Sequence, residues 1–230
     1  MPTVLVTGVN RGLGLEFVKQ YSQRGYTVIG TCRNPADAAE ASSLAEIADN
    51  IHLLPLDVSS AESIQSLAAS LAGRALDLVV LNAGVMGKAS SKLGELEQAD
   101  FMHSMCVNTV APALLIQALV DNLRLGELKT VVALSSVLGS IAGNSDGGLY
   151  SYRASKAGLN AVVKSAATDL KSEGITVVAM HPGWVQTDMG GQNATITTPV
   201  SVSGMLQVID GLGLDDSGRF VVYDGGELPW

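Results

Sequence analysis

Cysteine is nearly missing: Cys32 and Cys106 are the only two in 230 residues, too few and too far apart for a disulfide framework or a CxxC metal knuckle. They read as free thiols of a reducing compartment. The three histidines, His52, His103 and His181, lack metal-ligand spacing, so no zinc site is expected. Charge is thin too, at 16% of residues, and acids outnumber bases to leave a formal net charge of −8. Such a chain is repelled by a nucleic-acid backbone or an anionic membrane. Small molecules are the expected partners. No apolar run reaches the length of a membrane span, and no basic leader precedes an apolar stretch, which predicts a cytoplasmic protein. With no internal repeat and no clear linker at which to cut, residues 1–230 read as one domain.

Hydrophobic residues make up 47% of the chain, in keeping with central strands buried on both faces. Apolar runs predict strands at Thr3–Thr7, Thr27–Thr31, Ile51–Leu54, Leu76–Leu81, Thr130–Leu134, Thr176–Met180 and Phe220–Tyr223. Helical stretches are expected between most of them, at Gly12–Gln23, Ala36–Ala48, Ala61–Ala72, Ala99–Leu123, Ser151–Ser172 and Val200–Gly211. This alternation calls for right-handed βαβ crossovers and an α/β, doubly wound parallel sheet, with its ligand crevice at the carboxyl ends of the strands. Thr7, Arg33, Asp57, Asn82, Ser136 and Pro182 each follow a strand and so converge on that edge. The Gly/Ser-rich pieces Gly139–Gly148 and Gly190–Thr198 read as loops over the crevice.

Two motifs carry chemistry. The first strand runs into TGVNRGLG, with Gly8, Gly12 and Gly14 in a GxxxGxG spacing. Residues without Cβ let the backbone approach a pyrophosphate, and the following helix offers unpaired N–H groups to the anion. The stretch after the second strand holds no acid to grip ribose hydroxyls but offers Arg33, with Arg11 in the glycine turn. Two guanidinium groups suit a 2′-phosphate, so NADP(H) is expected over NAD(H). The second motif is Tyr152 and Lys156 in YSYRASKAGLN. Four residues apart, they share one helix face, where an ammonium can act on a phenol whose ordinary pKa is about 10. Tyr150 has Ala154 in the corresponding place and is expected to line the pocket.

In order and spacing, TGVNRGLG, Asp57-Val58, Asn82-Ala83-Gly84, Asn108, Ser135-Ser136, Tyr152/Lys156 and Pro182-Gly183 with Thr187 resemble the short-chain dehydrogenase/reductase family over essentially the whole chain. The segments HPGWVQTDMGG and GRFVVYDGGELPW resemble its C-factor-like and sniffer-like carbonyl reductase branch. The resemblance implies a Rossmann fold and a reductase of a small apolar aldehyde or ketone, with Tyr152 as general acid. It implies that Lys156 lowers the phenol pKa and holds the nicotinamide ribose, and that Ser136, rather than Ser135, bonds the substrate oxygen. Asn108 would hold a water relaying protons to Lys156. Moving the phenol from about 10 to near 7 would take roughly 4 kcal/mol, with a buried ammonium plus an oxidised nicotinamide ring as the expected source. For the cofactor, the resemblance implicates Gly8, Asn10, Arg11, Gly12, Leu13 and Gly14 of the turn, and Arg33. It adds Asp57 and Val58 at the adenine, Asn82, Ala83 and Gly84 near the ribose, Pro182, Gly183 and Val185 on the nicotinamide side, and Thr187 on the phosphate side. A C-factor-like signalling protein with incidental catalysis is the alternative. Helices around Val107–Leu123 and Ala157–Leu170 are apolar over more than one buried stripe, which predicts a homodimer or homotetramer.

Overall fold

Seven strands form one wholly parallel sheet in the order β3-β2-β1-β4-β5-β6-β7. They are β1 (Thr3–Thr7), β2 (Thr27–Cys32), β3 (Ile51–Pro55), β4 (Leu78–Leu81), β5 (Thr130–Leu134), β6 (Thr176–His181) and β7 (Phe220–Val222) in a computed structural model that describes residues 1–88 and 92–230. Seven helices connect them: α1 (Gly12–Gln23), α2 (Ala39–Ile47), α3 (Ala61–Ser70), α4 (Gln98–Met105), α5 (Ala111–Leu125), α6 (Tyr150–Leu170) and α7 (Thr198–Asp210). The period-two alternation of strands divides the core in two. Val4, Val6, Val28, Val80, Val132 and Val178 point to one face, with Phe17, Tyr21 and Met205 of α1 and α7. Leu5, Ile29, Val79, Val131 and Val177 point to the other, with Ile64, Leu115 and Leu159 of α3, α5 and α6. Both layers are dry, which is why the strands read as continuous apolar runs.

Strand order reverses between β1 and β4, so the loops after these strands diverge and open a crevice at their carboxyl ends. Thr7 and Asn82 stitch its floor. The Thr7 Oγ1 accepts from the Asn82 and Ala83 N–H groups at 3.0 Å each, while the Asn82 Nδ2 donates to the Thr7 and Gly8 carbonyls at 2.8 and 3.1 Å.

Several boundaries differ from the sequence expectation. The single helix expected at Ala99–Leu123 is interrupted by a π-helical turn, Cys106–Val110. Pro112, in the first turn of α5, has no N–H to continue the α-helical ladder. Strand β4 starts at Leu78 rather than Leu76, because the Asp77 carboxylate accepts from the N–H groups of Thr3 and Glu127 and makes a corner there. Ala36–Ala48 resolves into a 3-10 turn at Pro35–Asp37, capped by the Asn34 side chain, followed by α2. The helical run Gln98–Leu125 is apolar and long enough, by length and composition, to cross a bilayer, although no uninterrupted apolar stretch of that length exists. Half of its most apolar window is buried, with Leu115 and Leu119 in the core beneath the sheet.

Candidate active site

The crevice is a cleft of about 830 Å³. Its walls include Gly8, Asn10, Arg11, Gly12 and Leu13 from the first loop, Arg33 after β2, and Asp57 and Val58 after β3. Asn82, Ala83 and Gly84 after β4, Tyr152 and Lys156 of α6, and Pro182 and Thr187 after β6 complete it. Most of the residues singled out from sequence therefore meet in one place. Gly14, Asn108, Ser136, Gly183 and Val185 stand behind this surface rather than in it.

The first loop has the shape that its glycines predict. Gly8 and Gly12 take φ of +74° and +59°, a left-handed backbone that side chains disfavour. A Cβ on Gly14 would collide with the Gly8 carbonyl oxygen and come within 2.6 Å of the Asn82 Nδ2. No side chain caps the start of α1, so its first N–H groups, beside the cleft at Gly12 and Leu13, are available to an anion. This cradle fits the pyrophosphate of a dinucleotide. Arg33 opens onto the same cleft. Arg11 also lies there, and its Nη1 pairs with Asp188 at 3.1 Å between two largely exposed side chains. Such a pair contributes little and can be exchanged for a phosphate. The Asp57 carboxylate accepts from the N–H and Oγ of Ser59 at 2.9 and 2.6 Å, bonds that lower its pKa.

At the other end of the cleft, α6 brings Tyr152 and Lys156 to its buried side, with exposures of only 6% and 5%. The Lys156 Nζ donates to the Leu134 carbonyl at 2.7 Å and stands 5.8 Å from the centre of the Tyr152 ring. Burial lowers the Lys156 pKa from 10.5 to about 8. The phenol moves the other way: burial raises the Tyr152 pKa, and hydrogen bonding with Ser136 offsets part of the rise. The lowering expected from Lys156 together with an oxidised nicotinamide ring concerns the coenzyme-bound site. In the protein alone, desolvation dominates, and the ammonium is directed at the Leu134 carbonyl oxygen. The phenol therefore holds its proton at neutral pH.

Of the two serines after β5, Ser135 is on the cleft wall, yet its Oγ donates to the Asn160 Oδ1 at 2.6 Å. The hydroxyl that meets the phenol is that of Ser136. Asn108 sits in the π-helical turn, where its Oδ1 accepts from the Val85 N–H at 2.9 Å and its Nδ2 donates to the Val85 carbonyl and the Ser155 Oγ at 2.7 and 2.9 Å. The Ser155 Oγ donates in turn to the Tyr152 carbonyl at 2.8 Å. Asn108 thus ties the loop after β4 to the helix that carries the tyrosine. Behind the cleft, Val185 pairs with Ile196, and the Thr187 Oγ1 accepts from the Gly190 N–H at 3.1 Å. Gly183 has φ +83° and is packed against Ile196 and Tyr223.

Sequence reasoning did not anticipate the roles of Ser155 and Asn160. The signal was present, since both fall three to four residues from Tyr152 or Lys156 on the same helix face. Lys19, Glu40, Ser59, His103 and Gln186 also reach the cleft, but their isolated polar positions form no motif.

A glycine cradle at a strand-order reversal, with a buried tyrosine and lysine at the far end of the same cleft, defines a dinucleotide-binding oxidoreductase. Comparison with known proteins agrees. Residues 2–196 match the family model for short chain dehydrogenases, and the chain belongs to that family. It is 48% identical over 155 residues to C-signal of Myxococcus xanthus, covering 67% of this chain and 93% of that protein. Among solved structures, the carbonyl reductase Sniffer of D. melanogaster superposes with a TM-score of 0.93 at 35% identity, covering 100% of each chain. The NADPH-bound carbonyl reductase from chicken fatty liver gives 0.94 at 36% identity, covering 100% of this chain and 99% of that one.

Proposed function

We propose that the protein is an NADPH-dependent reductase that converts small, apolar aldehydes or ketones to alcohols, with Tyr152 as general acid. The observation that carries this reading is a buried phenol, hydrogen-bonded with Ser136, one helical turn from Lys156 in a cleft with a dinucleotide cradle. When bound, the nicotinamide supplies a hydride to the carbonyl carbon. Ser136 orients the carbonyl oxygen, Tyr152 delivers its proton to that oxygen, and solvent restores the proton to the phenol. Lys156 would hold the nicotinamide ribose, with Pro182, Gly183 and Val185 shaping the wall on that side and Thr187 contacting the phosphate. Arg11 and Arg33 would grip the 2′-phosphate, Asp57 and Val58 the adenine, and Asn82-Ala83-Gly84 the adenosine ribose. The NADPH carried by the chicken reductase supports this choice of cofactor. Asn108 serves by position, and a water relay to Lys156 would use its remaining Oδ1 lone pair. Exposed Val137, Ile141, Trp184 and Met189, on the loops after β5 and β6, favour an apolar substrate.

NADPH oxidation against a panel of carbonyl compounds tests the proposal. Tyr152→Phe is expected to lose about 10²- to 10⁴-fold in turnover while binding NADPH normally by calorimetry. A variant as active as the parent would refute the role of the phenol. The identity to C-signal favours a second reading, a signalling protein in which the cofactor site is regulatory; tight NADPH binding without turnover of any carbonyl would select it. We also infer a cytoplasmic protein that associates with a second copy through the shallow groove between α5 and α6, lined by Ala113, Ile116, Ala161, Val162 and Ala166. A light-scattering mass equal to one chain would contradict that assembly.

A further inference from the structure

Between Ser136 and Tyr152 the chain passes through a loop, Ser140–Leu149, that ends in three successive left-handed residues. Gly147, Gly148 and Leu149 have φ of 65°, 64° and 47°. For leucine this conformation is sterically disfavoured, and Leu149 is the residue from which α6 springs, without a side-chain cap. Such a shape persists only where the surroundings hold it. Within the loop, the Ser140 Oγ accepts from the Gly143 N–H at 2.9 Å and the Asn144 Oδ1 from the Gly147 N–H at 3.0 Å. Two further bonds tie the middle of the loop to residues outside it. The Arg153 Nε donates to the Gly147 carbonyl at 3.0 Å, and the Ala142 N–H donates to the main-chain carbonyl of Trp230, also at 3.0 Å.

Trp230 is itself well anchored. Its ring stacks on Phe220 of β7, with centroids 5.5 Å apart and planes at 20°, and Phe220 is fully buried. The Leu228 N–H donates to the Phe220 carbonyl at 2.8 Å, and Glu227 pairs with Arg219 at 2.8 Å. A chain of contacts therefore runs from the sheet, through residues 226–230, to the loop that separates the two hydroxyl groups of the site.

We propose that Trp230 is a positioning residue: residues 226–230 form a latch that holds loop 140–149, which joins Ser136 to Tyr152, in its left-handed shape, with Arg153 as its second fastener. The spacing of the two hydroxyl-bearing residues is thus set from the far edge of the sheet. The cofactor cradle, built from the loops after β1 and β2, has no share in these contacts. The effect on catalysis rests on the reductase reading; the effect on the loop does not.

The test uses the full chain with Trp230→Ala, Trp230→Phe and Arg153→Met, read in two ways. Hydrogen exchange across residues 140–149, with and without NADPH, is expected to speed up about tenfold in Trp230→Ala, to a lesser degree in Arg153→Met, and to return to the parent rate in Trp230→Phe, which keeps an aromatic ring on Phe220. KM for the carbonyl is expected to rise about tenfold in Trp230→Ala with KM for NADPH unchanged. Unaltered loop exchange overturns the latch, as does an equal rise in both KM values, which marks general loss of structure. If no carbonyl is turned over by the parent, the reductase reading falls and exchange alone decides the latch. Should Trp230→Ala fail to fold, Trp230→Leu, which keeps apolar cover without the ring stack, is read by the same two measurements.

Discussion

Replacing Lys156 by methionine should abolish turnover and yet strengthen the fold at neutral pH. The displacement of its pKa from 10.5 to about 8 corresponds to roughly 3 kcal/mol at 1.36 kcal/mol for each tenfold change. Nearly all of that opposes folding at pH 7, where the ammonium must be buried. Methionine removes this cost but leaves the Leu134 carbonyl, now bonded to Nζ, without its donor, a loss of about 1–3 kcal/mol. The net expectation at pH 7 is a gain of about 1 kcal/mol. Because the folded-state pKa lies below the unfolded value, the unfolded chain binds more protons between about pH 8 and 10.5, and the parent gains stability as pH rises through that window. The advantage of the variant should therefore shrink by about 2 kcal/mol between pH 7 and pH 9.5 and change sign. The raised phenol pKa of Tyr152 acts only above its ordinary value of about 10 and leaves the interval between these two pH values clear. Urea unfolding of the cofactor-free protein at the two pH values measures this. A variant destabilised by the same amount at both would refute the claim that a desolvated ammonium is held in the site.

His181, at the end of β6, has a pKa lowered by burial from 6.5 to about 4, and its Nδ1 is buried without a partner. The folded state thus resists its protonation. The parent should lose up to about 3 kcal/mol as pH falls from 6.5 to 4, and His181→Leu should show a shallower acid decline in urea midpoints; parallel curves would contradict this. Arg33→Asp should weaken NADPH binding about tenfold while sparing NADH, so that calorimetry finds the two cofactors near parity. An unchanged preference would remove Arg33 from the 2′-phosphate site.

The sheet was legible because buried parallel strands spell themselves as short β-branched and leucine runs; all seven strands stand within two residues of where periodicity puts them. The cradle was legible for a similar reason, since Gly8, Gly12 and Gly14 are required by backbone geometry rather than by neighbours distant in sequence. What could not be read was long-range. Nothing in the spelling of α4 and α5 says that Asn108 will bond Val85 and Ser155, although Pro112 was a local sign that the helix could not run through unbroken. The rise of the Tyr152 pKa in the protein alone could not be read either, because the Tyr–Lys spacing reports which groups are neighbours, and not how thoroughly both are buried. Leu149 in a left-handed backbone is likewise set by its fasteners, Arg153 among them, which have no signature of their own.

The Thr7 hydroxyl and the Asn82 amide together satisfy the main chain on both lips of the β1/β4 gap. The width of that gap is therefore an internal dimension of the molecule, fixed before any ligand arrives. On the proposed reading, a coenzyme entering there meets a prepared berth, and the rearrangement on its arrival falls at the rim, where Arg11 exchanges Asp188 for a phosphate.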